Sequence, residues 1–200
     1  MREFIALSQR ETELERRVRP ALAAVCTEGY FWGYDKSKLH YACYQTEKSR
    51  ATVVILHGFS ERAKKYDELV YYLLREGYAV ATYDHRGHGD SHRIVEESLI
   101  HIDRFEEYVD DLACFVEQIV RNMPAPYLLF AHSMGGGVAA LYLEKHRGVF
   151  ARACLSAPMI STRYGGIVRA FCRTLCLIAD KVDREKRRVF LFRNKEKGPS

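Results

Sequence analysis

The stretch LLFAHSMGGGVAALY, residues 128–142, decides the fold that this chain is expected to adopt. Residues 127–131 form a short apolar run typical of a buried strand, and residues 137–146 have the apolar spacing of a helix. Ser133 stands between the two, and three glycines follow it almost at once. A strand that ends in a serine and becomes a helix through glycine needs a chemical reason.

One chemistry requires a serine at such a point. A sharp strand-to-helix turn projects the hydroxyl out of the sheet, and this strained turn needs small residues two before and two after the serine. Ala131 and Gly135 occupy these positions, so the pattern departs from the usual G-x-S-x-G by one methyl group. Amides at the start of the following helix can stabilise negative charge on a substrate oxygen. The alternative is a glycine-rich helix start that only permits close packing on the sheet.

Length and composition indicate one soluble globular domain. The chain has 200 residues, of which 48% are hydrophobic and 28% charged, as is usual for such proteins. No apolar run approaches the roughly 18 residues that a membrane-spanning helix needs. The N-terminal segment 1–18 is too highly charged for a secretory signal. We therefore expect an intracellular, cytoplasmic chain.

The net charge of +5 suggests a nucleic-acid partner, but its distribution argues against one. Residues 181–200 contain eight Lys or Arg and three Asp or Glu, so the first 180 residues have no net charge. A basic tail of this kind is typically a solvated end of the chain. The cysteines have no close CxxC pair and mostly lie in apolar segments, which favours free buried thiols over disulfides or a metal site. They are Cys26, Cys43, Cys114, Cys154, Cys172 and Cys176.

Strand-like and helix-like segments alternate along the chain. The spacing of apolar residues predicts a hairpin over 28–46, strands over 51–56, 78–84, 127–131 and 151–159, and helices over 66–76, 103–121, 137–146 and 163–179. Asp103 and Glu106 resemble a capping box at the start of one helix. This order predicts an α/β fold with a mostly parallel central sheet flanked by helices. Sites in such sheets form at the carboxyl ends of the strands.

Three motifs lie at successive strand ends of this predicted sheet. They are His57-Gly58-Phe59-Ser60, Asp84-His85-Arg86-Gly87-His88-Gly89-Asp90-Ser91 and Ala131-His132-Ser133-Met134-Gly135-Gly136. In this order and spacing they resemble the α/β-hydrolase superfamily, and more narrowly the group of monoacylglycerol lipases and bacterial lysophospholipases. The resemblance extends from about residue 28 to about residue 180. It implies an α/β-hydrolase core over 1–160, the start of a helical cap over 161–182 and a basic tail over 183–200.

The resemblance implies a role for each motif residue. Ser133 matches the nucleophile, and the amides of Phe59 and Met134 match the two donors of the oxyanion hole. Gly58 and Gly135 belong to the same two motifs, and His57 is expected to hold the oxyanion loop. The turn after the second parallel strand is expected to be structural, with His85 and His88 stabilising it and His132 lining the pocket wall. The residues of that turn that match the motif are Asp84, Arg86, Gly87, Gly89 and Ser91.

The base and the acid of a catalytic triad cannot be assigned in the order that this fold uses. That order is nucleophile, then Asp or Glu, then His, and the only histidine after Ser133 is His146. His146 comes 13 residues later, about 20 Å along the following helix. We therefore expect a C-terminally truncated hydrolase in which the last two strands, with the triad acid and histidine, are absent.

Two hypotheses of different classes follow. In the first, the protein is a serine hydrolase that cleaves a lipid-like ester, a monoacylglycerol or a lysophospholipid, through a Ser133 acyl-enzyme, and segment 163–179 shields the acyl chain. In the second, the chain is a non-catalytic, truncated relative of such enzymes. An aminopeptidase or a transferase on the same scaffold is a third, weaker alternative. We expect peripheral membrane contact, no nucleic-acid partner, no metal and no organic cofactor.

Overall fold

A six-stranded sheet forms the centre of the molecule in the computed structural model, which describes residues 4–94 and 100–160. The strands are β1 (Cys26–Trp32), β2 (Lys38–Tyr44), β3 (Thr52–Leu56), β4 (Ala79–Tyr83), β5 (Tyr127–His132) and β6 (Arg152–Ser156). Their order across the sheet is β1-β2-β4-β3-β5-β6. The β1–β2 and β2–β4 pairs are antiparallel, and β4, β3, β5 and β6 run parallel to one another.

Helices cover both faces of this sheet. They are α1 (Arg10–Glu13), α2 (Arg19–Ala23), α3 (Asp67–Arg75), α4 (Glu106–Gln118) and α5 (Met134–Lys145), with a π-helical turn at Leu14–Val18 between the first two. Because side chains alternate along a strand, β3 contributes to both apolar layers. Val54 and Leu56 pack with α4 and α5, whereas Val53 and Ile55 pack with α3 and the N-terminal helical stretch. All five residues of β3 are buried, which explains the unbroken apolar sequence that follows Thr52.

The predicted α/β architecture with a mostly parallel sheet is confirmed. The hairpin over 28–46 is present, and its turn at residues 33–37 is closed by the bonds from Gly33 N–H to Ser37 O and from Lys36 N–H to Gly33 O. The remaining strands and helices are found at the predicted places within the described residues. The helix predicted over 163–179, the cap and the basic tail lie outside them. The N-terminal helices were not predicted from the sequence.

Three predicted details are wrong. Helix α5 begins at Met134 rather than at residue 137, and β6 ends at Ser156 rather than at residue 159. The capping box is also wrong, because the residue before α4 is Phe105 and no side chain caps the first turn. Asp103 instead accepts a hydrogen bond from the His101 ring, with 3.3 Å between Nε2 and Oδ1.

The four cysteines among the described residues are free, as predicted, but they differ in exposure. Cys26, Cys43 and Cys114 are partly buried, and burial raises the pKa of the Cys43 thiol to about 12. Cys154 lies on β6 and is exposed, so the prediction that it is buried is wrong. The strand that carries Cys154 has only β5 as a neighbour among the described strands.

Candidate active site

Ser133 occupies the turn between β5 and α5 with a strained backbone. Its φ of 50° and ψ of −115° lie in a region that residues with a side chain rarely adopt, at a cost of about 1–3 kcal/mol. Neighbouring backbone holds this conformation: the Ser133 N–H donates to Ser156 O at 3.0 Å, and Ser133 O accepts from Met159 N–H at 2.8 Å. The end of β6 and the segment after it therefore fix the serine from one side.

The glycines after Ser133 allow close backbone contacts that a side chain would prevent. A Cβ on Gly135 would lie 2.5 Å from the carbonyl oxygen of His57, and one on Gly137 would lie 2.7 Å from that of Met159. Real Cβ atoms do not approach so closely. The first turn of α5 is thus pressed between the end of β3 and the segment after β6. Ala131, two residues before Ser133, is fully buried and pairs with Leu56 on β3.

The loop after β3 lies directly against Ser133. A Cβ on Gly58 would be 3.2 Å from the Cβ of Ser133. Phe59, which follows Gly58, has 38% of its surface exposed, whereas Met134 is buried at the start of α5. The first N–H groups of a helix have no partner within the helix, so that of Met134 points out of the N-terminus of α5. The structure therefore brings the residues predicted for the oxyanion hole to two sides of the predicted nucleophile.

His57 connects the motif after β3 with the motif after β4. Its ring is fully buried, with Nδ1 2.7 Å from Gly58 O and Nε2 3.0 Å from the backbone nitrogen of His85. Since Gly58 O can only accept and the His85 N–H can only donate, Nδ1 carries the proton and the ring is neutral. Burial lowers the pKa of His57. Both of its ring nitrogens are used in holding backbone, so neither is available to Ser133.

Asp84 organises the turn after β4 through its carboxylate. Oδ1 accepts from the Ala63 N–H at 2.7 Å and Oδ2 accepts from the Asp90 N–H at 3.0 Å. Gly89 crosses directly over this carboxylate, because a Cβ there would be 1.9 Å from Oδ2, and its φ of +47° also favours glycine. The Ser91 hydroxyl donates to the carbonyl oxygen of Asp84 at 2.5 Å.

Two further contacts complete this turn. The Ser91 hydroxyl accepts from the His40 N–H on β2 at 2.9 Å, so the turn is bonded to the hairpin. Gly87 has a φ of +75°, and its N–H donates to His92 O at 2.9 Å.

Arg86 is buried in the same turn among three carboxylates. Its guanidinium binds Asp111 of α4 through two bonds of 2.6 and 2.7 Å and Asp35 of the hairpin turn through two bonds of 3.0 and 3.2 Å. Glu107 lies 3.6 Å away, and the guanidinium carbon is 4.6 Å from the centre of the Tyr34 ring. Burial raises the pKa of Asp111, whereas the hydrogen bonds from Arg86 lower that of Asp35. This network joins the hairpin, the turn and α4.

His85 and His88 are buried inside the turn after β4. The Nδ1 of His88 is 3.0 Å from Arg86 O, and burial lowers the pKa of its ring to about 3. Neither ring nitrogen of His85 has a hydrogen-bond partner among the described residues. His146 ends α5, where its ring stacks on Tyr142 with 4.5 Å between ring centres. Within residues 4–94 and 100–160, no histidine ring is hydrogen-bonded to the Ser133 hydroxyl.

The motif analysis missed Glu61, which lies in the loop after β3. Its Oε2 accepts from the Gly58 N–H at 2.8 Å and from the Tyr66 hydroxyl at 2.7 Å, and Oε1 binds the Lys65 ammonium. Burial opposes the charged form of this carboxyl, but the hydrogen bonds from Lys65, Tyr66 and Gly58 lower its pKa to about 2. A carboxylate is therefore held beside the residue that contacts Ser133. Its position three residues after Gly58 is the only signal in the sequence.

One set of side chains in the described part of the chain has ligand atoms close enough to share a cation. These are His40, Asp84 and Asp90, whose candidate ligand atoms lie within 4.8 Å of one another. Both carboxylate oxygens of Asp84 already accept backbone N–H groups, so the arrangement is explained by the turn itself. An apolar recess of about 430 Å³ lies beside the first turn of α5, between Phe105, Leu141 and Met159. No helix in the described ranges is long and apolar enough to cross a membrane.

Comparison with known proteins identifies the family. The profile of a family described as "Serine aminopeptidase, S33" matches residues 47–197. Lysophospholipase L2 of Escherichia coli (strain K12) is 38% identical over 146 residues, which are 71% of this chain and 41% of that protein. Monoglyceride lipase of Homo sapiens is 31% identical over 116 residues, which are 58% of this chain and 37% of that protein. The chain thus spans less than half the length of these relatives.

The fold agrees with the sequence relationship. The solved structure of the α/β hydrolase GrgF from Penicillium sp. sh18 has a TM-score of 0.67 at 18% identity, covering 80% of this chain and 56% of that one. At that identity the likeness concerns the fold alone. With the motif after β3 in contact with Ser133 and a family match over most of its length, the chain belongs to the serine aminopeptidase S33 family of α/β hydrolases.

Proposed function

We propose that the protein hydrolyses carboxylic esters of lipid-like substrates, a monoacylglycerol or a lysophospholipid, with Ser133 as the nucleophile. The observation that carries this proposal is the strained backbone of Ser133 at the strand-to-helix turn, directly against Gly58. Strain of this kind persists where the surrounding structure enforces it, and it is concentrated at functional sites. The names of the relatives, lysophospholipase and monoglyceride lipase, support the substrate class.

The proposed reaction proceeds through an acyl-enzyme. The substrate carbonyl oxygen faces the N–H groups of Phe59 and Met134, and Ser133 Oγ attacks the carbonyl carbon. As the Oγ–C bond forms, the Oγ–H bond of Ser133 breaks and its proton passes to a solvent water that acts as the base, and the tetrahedral oxyanion is stabilised by the two amides. The C–O bond to the alcohol then breaks and the alcohol leaves with a proton. Water attacks the acyl-enzyme in the same way, which releases the acid and restores the serine.

A second candidate is a chain that has the scaffold but no turnover of its own. Serine is a weak nucleophile without a base to accept its proton. In the structure, His57 is fully bonded to backbone and His146 lies at the far end of α5 from Ser133. These placements support the hypothesis of a non-catalytic hydrolase-like chain, because neither histidine is available to Ser133 as a base. The two candidates differ in whether Ser133 turns over an ester.

Hydrolysis of a short p-nitrophenyl ester and of a monoacylglycerol, each followed to product, separates these candidates. Ser133→Ala is the test variant, and His146→Ala is the matched control because its ring contacts only the far end of the helix. We expect Ser133→Ala to lose all turnover above background and His146→Ala to keep it. Undiminished turnover in Ser133→Ala would contradict the proposed nucleophile. No turnover in the folded parent protein would support the second candidate.

We also propose that the carboxyl edge of the sheet contacts a lipid surface. Trp32 ends β1 at this edge, because β1 runs parallel to β4, and 52% of its surface is exposed. Phe59 and Ile160, after β3 and β6, are also exposed there. Trp32 is the only tryptophan in the sequence, so its fluorescence reports on this edge directly. A blue shift on adding phospholipid vesicles supports the contact, and an unchanged spectrum with no co-sedimentation contradicts it.

A further inference from the structure

The loop after β3 is fixed by one side chain whose position has no explanation in the motifs. Glu61 accepts a hydrogen bond from the Gly58 N–H at 2.8 Å with its carboxylate, and its own backbone N–H donates to Gly58 O at 3.3 Å. Glu61 therefore forms hydrogen bonds with both the N–H and the carbonyl oxygen of Gly58. Only 11% of its side chain is exposed.

These hydrogen bonds can determine the backbone conformation of Gly58. Glycine has the widest choice of φ and ψ, so its two flanking peptide planes are not fixed by its own sterics. The plane before Gly58 contains its N–H, which the Glu61 carboxylate holds. The plane after Gly58 contains both Gly58 O and the Phe59 N–H, because a peptide unit is planar. Gly58 O is held by the His57 ring at 2.7 Å and by the Glu61 N–H.

The same carboxylate is close to the serine. A Cβ built on Gly58 would be 3.1 Å from Glu61 Oε2 and 3.2 Å from the Cβ of Ser133, so the two side chains flank one backbone position. The Tyr66 hydroxyl binds Oε2 at 2.7 Å and keeps the carboxylate in place, while the Tyr66 ring packs near Phe130 of β5. Glu61 is thus linked through Tyr66 to β5, the strand that directly precedes Ser133.

We propose that Glu61 is a positioning residue, which aims the Phe59 N–H at the oxyanion by fixing both peptide planes of Gly58. This inference rests on the proposed function of Ser133 and deepens it. Glu61 does not have to touch substrate for this role. Its ion pair with Lys65 does not explain its placement, since 61% of the Lys65 side chain is exposed and exposed pairs contribute little to stability.

Two substitutions of Glu61 separate positioning from other roles. Glu61→Ala removes the acceptor of the Gly58 N–H, whereas Glu61→Gln keeps a carbonyl oxygen that can accept it. We expect Glu61→Ala to lower kcat by about ten- to a hundredfold, since outright loss of one oxyanion donor costs about 10²–10³, with KM within about threefold. Glu61→Gln should stay within about threefold of the parent in both constants. Lys65→Met, which keeps the acceptor and removes only the cation, is the matched control and should also stay within about threefold.

Affinity for a tetrahedral inhibitor distinguishes positioning from general damage. A boronic acid that binds the serine should lose affinity in Glu61→Ala by about the same factor as kcat, because it uses the oxyanion donors. A loss of folded protein would lower the measured number of active sites and leave the affinity of those that remain unchanged. A raised KM with unchanged kcat would assign Glu61 to substrate contact and overturn the proposal.

Hydrogen exchange tests the inference without turnover. Amides in residues 57–62 should exchange at least about tenfold faster in Glu61→Ala than in the parent protein, and Glu61→Gln should largely restore their protection. Equal exchange in all three proteins would overturn the positioning role even if Ser133→Ala abolishes hydrolysis. Conversely, an inactive parent protein with the expected exchange pattern would contradict the proposed function and leave the role of Glu61 in the loop supported.

Discussion

Replacing His85 with phenylalanine should change how the stability of this protein depends on pH without lowering its stability at neutral pH. His85 lies in a buried cluster with His57 and His88, with 4.5 Å between the ring centres of His57 and His85 and 5.2 Å between those of His57 and His88. Burial lowers the pKa of all three rings. It lowers that of His85 well below its usual value and that of His88 to about 3. The folded protein therefore keeps these rings neutral in mildly acidic solution.

The magnitude follows from proton linkage. A histidine in an unfolded chain titrates near pH 6.5, so below that pH the unfolded chain binds more protons than the folded protein. Stability that is present above pH 6.5 is lost as the pH falls toward the folded pKa values. Near pH 5 a ring whose pKa in the folded protein lies well below that pH, as for His88 at about 3, contributes about 1.4 kcal/mol per pH unit. His85→Phe removes one such ring, because the pKa of His85 lies well below its usual value, and should lower the slope by about 1.4 kcal/mol per pH unit.

Charged neighbours do not remove this difference. Asp84 and Glu61 favour the protonated form of His57 and Lys65 opposes it, while Arg93 opposes protonation of His88. Burial raises the pKa of Asp67 and Asp111, which adds stability in acid, but does so in both proteins and cancels in the comparison.

At pH 7 the substitution should change the free energy of unfolding by less than about 1 kcal/mol. Among the described residues the ring nitrogens of His85 have no partner to lose, and its backbone N–H still bonds His57. Urea unfolding between pH 4.5 and 7.5, followed by circular dichroism, gives both quantities. Equal slopes in the two proteins, or a loss above about 3 kcal/mol at pH 7, would refute the reasoning.

Two further substitutions test the turn after β4 and the turn between β5 and α5 that carries Ser133. Arg86→Met should destabilise the protein by about 3–5 kcal/mol, because the buried Asp111 carboxylate loses its bidentate partner; an unchanged denaturation midpoint at pH 7 would contradict this. Gly135→Ala should cost about 1–3 kcal/mol or more and displace Ser133, since the new Cβ would meet His57 O at 2.5 Å. Gly148→Ala strains its own backbone at a φ of +79° but has nothing within 4 Å of the new Cβ, so it should keep any ester turnover that the parent shows. Equal activity loss in both variants would argue against a local cause.

The sheet could be predicted from the sequence because its strands have strong and simple patterns. The apolar run at 53–56 has no polar interruption since β3 is buried on both faces. The start of α5 was predicted three residues late because glycine is a poor helix former. Gly135 and Gly137 are nevertheless helical, since their positions against β3 and Met159 leave no room for a side chain. At these two positions, tertiary contacts outweigh the low helix propensity of glycine.

The polar contacts of the site could be predicted only in part. Motif spacing indicated that Ser133, Gly58 and Asp84 come from three strand ends, and in the structure the motif after β3 contacts both the Ser133 motif and the motif after β4. Asp35 and Asp111 have no motif, so their pairing with Arg86 could not be inferred from a turn residue and a helix residue far apart in the chain. Glu61 stands in a polar loop, where a charged side chain is usually solvated. Only the structure shows that its side chain turns inward to Gly58.

The central position of β3 has a consequence for synthesis. Thr52 pairs with Ala79 on one side and with Tyr127 on the other, and Leu56 pairs with Ala131. A chain growing from the ribosome has made β1 to β4 long before β5 exists. Until residue 132 has emerged, β3, the most apolar of the six described strands, forms an open edge, the arrangement that invites pairing with other chains. The half-synthesised chain is thus the form in greatest need of a chaperone.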